Sequence, residues 1–260
     1  AWTKDAPGSY TGFQQECYDD RSWDVMPVPG LWELNGYGHP LYLNYGYAWF
    51  NQYRSAPPLV PLEKNHTGYY RHNFSLPEEW NGRQVFIHFG SVTSNLSLWV
   101  NGMFAGYSED SKLEAGFDIT PYLRPGDNFI ALKVNRWCDG TYLEDQDFWR
   151  LSGVGRDVFL YAREKTHIHD FTLLPVLDKN YKNGSLDISV ILNRASNQVL
   201  VQAELIDPRG YSLGLKSLTG SENLTFTGSF TVKNAQPWSA ELPHLYTLIL
   251  SVADTGSGKT

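Results

Sequence analysis

The feature that most constrains this chain is a two-residue alternation of apolar and polar side chains, repeated in short runs and almost nowhere replaced by a helical spacing. The runs "QVFIHFG" (84–90), "NLSLWVNG" (95–102), "NFIALKVNRW" (128–137) and "DVFLYARE" (157–164) are each bounded by Gly, Asn, Asp or Pro. Residues two apart share one face of a strand, so these runs predict antiparallel sheets with one covered face. Asn101-Gly102 stands between two such runs, where a tight hairpin needs it, and Pro125-Gly126 supplies a second turn. From about Thr166 a leaner alternation begins, in "GSLDISVILN", "QVLVQAELIDPRG", "LTFTGSFTVKN" and "HLYTLILSVAD". The expected architecture is all-β: a jelly-roll sandwich over 1–164, its first strand truncated, followed by an immunoglobulin-like β-sandwich over 165–260.

Composition agrees. The 260 residues suffice for two cores. Aromatics are abundant, with 9 Trp, 16 Tyr and 13 Phe against 2 Met, and flat rings fit a half-covered pleated surface. A net charge of −7 with no gathered Lys and Arg argues against a nucleic-acid partner. No apolar run is long enough to span a membrane as a helix, and "AWTKDAPGSY" is unlike a signal peptide. The chain lacks a leading Met and stops just after an alternating run, so it is expected to be a piece of a longer polypeptide. Cys17 and Cys138 show no metal-type spacing and are read as ordinary thiols.

Two stretches depart from the alternating pattern. Between Trp32 and Leu62 the chain is rich in Tyr, Gly, Asn and Pro, and a loop of that length is expected to be functional or to pack over a neighbouring domain. The second stretch, "RWCDGTYLEDQDFWRLSGVGRDV" (136–158), sets Glu144, Asp145 and Asp147 among Tyr142, Phe148 and Trp149.

Close carboxylates beside rings suggest glycoside chemistry. Retaining hydrolysis needs two carboxyl groups about 5–5.5 Å apart on opposite sides of the sugar. On an extended segment only Asp145 and Asp147 face one way, about 6–7 Å apart along the chain, and neighbours on one strand do not flank a substrate. The run is therefore read as non-catalytic. Glu144 and Asp145 are expected to bond Arg136, Arg150 or Arg156 and hold the loop. Asp147, flanked by Phe148 and Trp149, is expected to meet sugar hydroxyls or a hard cation. Ser152 lacks the context of a nucleophile elbow, and Gly153 and Gly155 read as turn residues. The histidines show no metal-ligand pattern.

The segments "VPGLWELNGYGHPLYLNYGY", "GYSEDSKLEAGFDITPYLRPGDNFIALKVNRWCDGTYLEDQDFWRLSGVGRDVFLY" and "AQPWSAELPHLY" resemble the non-catalytic front part of the large microbial β-galactosidases of glycoside hydrolase family 2. The resemblance covers nearly the whole chain. It implies a sugar-binding jelly roll, then an immunoglobulin-like domain, then a catalytic TIM barrel absent here that carries the catalytic glutamates and the principal magnesium site. It further implies that Asp147 reaches galactosyl hydroxyls and helps bind a sodium ion, and that Asn44 is the other sugar-contacting residue. A soluble, homo-oligomeric parent in bacterial cytoplasm or periplasm is expected.

No catalytic residue is assigned in this chain. The leading function is a galactose-recognition and support portion of a retaining β-galactosidase, inactive by itself. The alternatives are a free-standing carbohydrate-binding module and a module that merely braces a barrel or sister subunit. With Asn44 and Asp147 alone, a few exposed hydrogen bonds at about 1 kcal/mol each leave binding weaker than millimolar.

Overall fold

Every alternating run becomes a strand. The computed structural model describes residues 2–3, 10–44, 46, 49, 56–63, 65–144, 146–196, 198–220 and 224–255, and the chain divides into two compact units, 1–162 and 163–260. In the first unit the strands are β1 (Trp2–Thr3), β2 (Gly30–Leu31), β3 (Leu41–Leu43), β4 (Thr67–Ser75), β5 (Gln84–Phe89), β6 (Val92–Thr93), β7 (Leu96–Val100), β8 (Met103–Ser108), β9 (Ala115–Asp118), β10 (Asp127–Asn135), β11 (Phe148–Arg150), β12 (Gly153–Val154) and β13 (Val158–Arg163).

These form a five-stranded sheet in the order β1-β4-β10-β7-β8 and a three-stranded sheet β13-β5-β9, with the small sheets β2-β12-β6 and β3-β11 beside them. This is the jelly-roll sandwich. Its core takes alternate residues: Val85, Ile87 and Phe89 from β5, Leu96, Leu98 and Val100 from β7, and Ile130, Leu132 and Val134 from β10. Each fully buried side chain of this kind contributes about 1.5–3 kcal/mol.

β10 breaks the strict alternation because both its faces are covered. Phe129 and Ala131 point away from the main core into a second cluster with Phe13, flanked by Tyr10, Tyr18, Trp23, Tyr69 and Trp99. Arg71 ties this cover to the sheet, its Nε donating to Asp20 Oδ2 at 2.8 Å and its guanidinium to the Phe13 and Gln15 carbonyls.

The β7-β8 hairpin turns at Asn101 (φ 50°) and Gly102 (φ 83°), the paired left-handed conformation that an Asn-Gly turn provides. Gly153 departs from its expected turn role. It lies in β12 at φ +113°, and a Cβ there would come within 2.9 Å of both the Gly30 carbonyl oxygen and Trp32. Trp32, 2 % exposed, donates its indole N–H to the Tyr70 hydroxyl, so glycine is required by the close approach of this ring.

The second unit contains β14 (Ile168–Leu177), β15 (Gly184–Leu192), β16 (Val199–Ile206), β17 (Ser212–Ser217), β18 (Thr219–Gly220), β19 (Thr225–Val232) and β20 (Thr247–Asp254). A four-stranded sheet β14-β15-β19-β18 faces a three-stranded sheet β17-β16-β20. Between them lie Ile188, Val190 and Leu192 of β15, Val201, Ala203 and Leu205 of β16, and Phe230 of β19. This is the immunoglobulin-like sandwich, closed by packing without a disulfide, since Cys17 and Cys138 are both free thiols.

Candidate functional site

The long stretch 32–62 contains a strand that its composition conceals. β3 pairs antiparallel with β11 in the register Leu41↔Arg150, Tyr42↔Trp149, Leu43↔Phe148. Asn44 directly follows β3 and Asp147 directly precedes β11, so both leave the ladder at its Leu43↔Phe148 end. The two sequence-predicted residues, far apart in the chain, thus stand next to the same end of a small ladder.

Strand alternation sorts the ladder into two faces. Leu41 and Leu43 turn inward, onto a cluster of Trp49 and Trp137 with Val60 and Tyr142. Phe148 and Arg150 share that inward side, the guanidinium lying over the Phe148 ring at 4.7 Å. The outward face carries Tyr42, Asn44, Asp147 and Trp149, all exposed. The Tyr42 hydroxyl donates to Asp147 Oδ1 at 2.5 Å, and the Tyr42 and Trp149 rings meet at 5.5 Å between centroids, tilted by 60°. The bond to the Asp147 carboxylate holds the Tyr42 phenol above its ordinary pKa.

The acidic run divides differently from expectation. Glu144 does not bond Arg136, Arg150 or Arg156 through its carboxylate; it closes on Ser111, whose backbone N–H donates to Oε1 at 2.9 Å and whose hydroxyl donates to Oε2 at 2.6 Å. Arg150 donates to the backbone carbonyls of Glu144 at 2.8 Å and Gln146 at 2.9 Å. Arg136 instead faces Glu33 at 3.8 Å, and Arg156 donates to the Lys112 carbonyl. Asp145 lies outside the described residues. Nor is the run one extended segment: Asp139–Tyr142 is a 3-10 turn, and β11 begins only at Phe148. Of the two rings expected to accompany Asp147, Trp149 shares its face while Phe148 turns inward.

Tyr42 was not singled out in the sequence. Its signal was there, because Tyr42 and Asn44 in "LYLNYGY" are two apart and fall on one face if the segment is a strand.

The outward face can accept and donate hydrogen bonds at once. Asn44 offers an amide N–H and a carbonyl, and Asp147 offers acceptor oxygens only. One carboxylate with an amide oxygen is a hard-oxygen set that fits part of the shell of a monovalent cation; a caged divalent ion such as calcium takes 6–8 oxygens. A separate group, Glu109, Cys138 and Asp139, has ligand atoms all within 4.8 Å of one another. Burial raises the Cys138 thiol pKa, which favours the thiol over a metal-binding thiolate.

Comparison with known proteins gives the chain its relatives. The family described as "Glycosyl hydrolases family 2, sugar binding domain" matches residues 5–164, and "Glycosyl hydrolases family 2" matches 166–260. A beta-galactosidase of Priestia megaterium is 38% identical over 96% of this chain, and one of Streptococcus thermophilus is 39% identical over 93%. The chain spans about a quarter of the length of these relatives, 25% and 24%. Among solved structures, a beta-glycosidase from Bacteroides vulgatus superposes over 99% of this chain and 31% of its own, with a TM-score of 0.73 at 23% identity. Bacteroides uniformis beta-glucuronidase 2 covers 98% of this chain and 30% of its own, with a TM-score of 0.74 at 19% identity. At such identities the likeness is one of fold. The two matched regions together take in nearly all of the sequence, and the chain belongs to glycosyl hydrolase family 2.

Proposed function

We propose that this chain is the galactose-recognising, non-catalytic portion of a retaining β-galactosidase, with Asn44 and Asp147 as its sugar contacts. The observation that supports the reading is the ladder of β3 with β11, since exposed Asn44 directly follows the one strand and exposed Asp147 directly precedes the other at the Leu43↔Phe148 end. A site built to hydrogen-bond a hydroxyl rejects sugars that lack or misplace it, because its polar groups are then left unpaired.

In this reading Asp147 also contributes an oxygen to a sodium ion whose other ligands come from the sugar, water and further domains. Magnesium belongs with the catalytic barrel, as do the catalytic carboxylates. The chain alone is inactive, and the parent assembles as a homo-oligomer. The division of the polypeptide at about residue 164 follows the same reading, with the jelly roll carrying the contacts and the second sandwich serving as support.

The test is to extend the reading frame beyond Thr260 and assay the encoded protein beside this chain on a nitrophenyl β-galactoside. Hydrolysis by the longer protein alone, with weakened turnover and sodium response in Asp147→Asn and Asn44→Ala, is the expected result. A frame that ends here, or unchanged kinetics in both variants, overturns the reading.

A further inference from the structure

We infer that Tyr42 is the positioning residue of this site, holding the Asp147 carboxylate in one orientation for the sugar or its cation. The inference rests on the sugar-contact reading above and goes further by assigning a role to a residue that touches the ligand only through another.

Asp147 is exposed and precedes the first residue of β11, so nothing in the ladder's own hydrogen bonds fixes its side chain. An exposed aspartate samples several staggered rotamers, and immobilising such a side chain on binding costs affinity. Tyr42 removes that freedom. Its hydroxyl donates to Oδ1 at 2.5 Å, and its own ring is fixed at one edge by contact with Trp149 and at the backbone by the Tyr42↔Trp149 register. Among the described residues Asp147 has no other hydrogen bond or ion pair, so Oδ2 is left to an incoming group.

The chemical consequence is order. A carboxylate with one oxygen already accepting a phenol proton keeps Oδ2 wholly open to a hydroxyl or a cation and one lone-pair site on Oδ1, and its bond directions are set before the ligand arrives.

The experiment is a double-mutant cycle of Tyr42→Phe and Asp147→Asn in the longer polypeptide that the functional reading requires. The assay uses nitrophenyl β-galactoside hydrolysis, with sodium titrated against tetramethylammonium at constant ionic strength. Tyr42→Phe keeps the ring against Trp149, and an unchanged thermal midpoint confirms that the fold survives. The expected result is that Tyr42→Phe raises KM or the half-saturating sodium concentration by roughly two- to tenfold, the range for freeing one immobilised side chain, with a smaller change in kcat. Asp147→Asn should cost more, and the double variant should be no worse than Asp147→Asn alone. Additive losses, or an impaired Asp147→Asn beside an unaltered Tyr42→Phe, overturn the positioning role and leave the sugar-contact reading standing. An unaltered Asp147→Asn overturns both.

Discussion

Glu144 spends both carboxylate oxygens on one residue, Ser111, taking its backbone N–H at 2.9 Å and its hydroxyl at 2.6 Å. Ser111 is 1 % exposed, so the carboxylate supplies hydrogen bonds that water cannot easily replace. Removing it with Glu144→Ala leaves a buried donor unsatisfied and should destabilise the first unit by about 1–3 kcal/mol. Glu144→Gln, which keeps an acceptor for the backbone N–H, should lose less. Urea unfolding of the two variants checks the order; equal and negligible losses would remove Glu144 from the support of the loop.

The inner face of the ladder makes a sharper contrast. Trp137, 7 % exposed, lies under it, whereas Trp149, 54 % exposed, lies on top. Trp137→Ala should cost about 3–5 kcal/mol, and Trp149→Ala should stay within about 0.5 kcal/mol. Denaturant unfolding followed by far-ultraviolet circular dichroism measures both without relying on the fluorescence of the residue removed.

Gly153→Ala tests the close approach to Trp32. The new Cβ meets backbone at 2.9 Å in a conformation that L residues rarely adopt, so the loss should exceed about 1 kcal/mol. A thermal midpoint equal to the parent's would show that β12 can shift away from the indole.

Alkaline titration separates the tyrosines. The phenol pKa is raised at Tyr42 by its bond to Asp147, at Tyr37 and Tyr69 chiefly by burial, and at Tyr70 and Tyr107 by burial most of all. A raised native pKa means that the protonated phenol is favoured by folding. Its stabilising share is complete below about pH 10, the unfolded value, and disappears as pH rises through the native pKa. Absorbance near 295 nm should show a late-titrating class, and Tyr42→Phe should remove one member of it.

The second unit should respond to acid through Asp178 and Asp207. The Asp207 carboxylate pKa is lowered first by the Tyr211 backbone N–H and then by Arg209, and that of Asp178 first by the Lys182 backbone N–H and then by Asn183. A lowered native pKa adds stability above about pH 4, the unfolded value, and that stability is lost as pH falls through the native pKa. Asp207→Ala should lower the thermal midpoint at pH 7 and flatten its decline below pH 4. A parallel decline in variant and parent would assign the acid sensitivity elsewhere.

Long strands were legible because their covered faces repeat over many residues: Val85, Ile87 and Phe89 identify β5 without any knowledge of its neighbours. β3 was not legible, since three residues offer too little alternation to distinguish a strand from an aromatic-rich loop, and its partner lies far along the chain. The same limit hid Tyr42. Asn44 came from resemblance and Asp147 first from its flanking rings, while their place beside the same end of the ladder came only with the pairing of β3 and β11. Glu144 was misassigned for a related reason: sequence proximity pointed to charged arginines, whereas folding delivered the Ser111 peptide group. Gly153 read as a turn because the Trp32 ring that crowds it comes from a distant part of the chain, just after β2.

The bond between Tyr42 and Asp147 joins positions 105 residues apart. A contact of that span pays its loop-closure entropy late and forms slowly compared with a local hairpin such as the one at Asn101-Gly102. During synthesis the first half of the site leaves the ribosome long before the second exists. The face that carries Tyr42 and Asp147 is therefore absent from any shorter nascent chain and comes into being only when β11 arrives, with just β12 and β13 of the first unit still to be made.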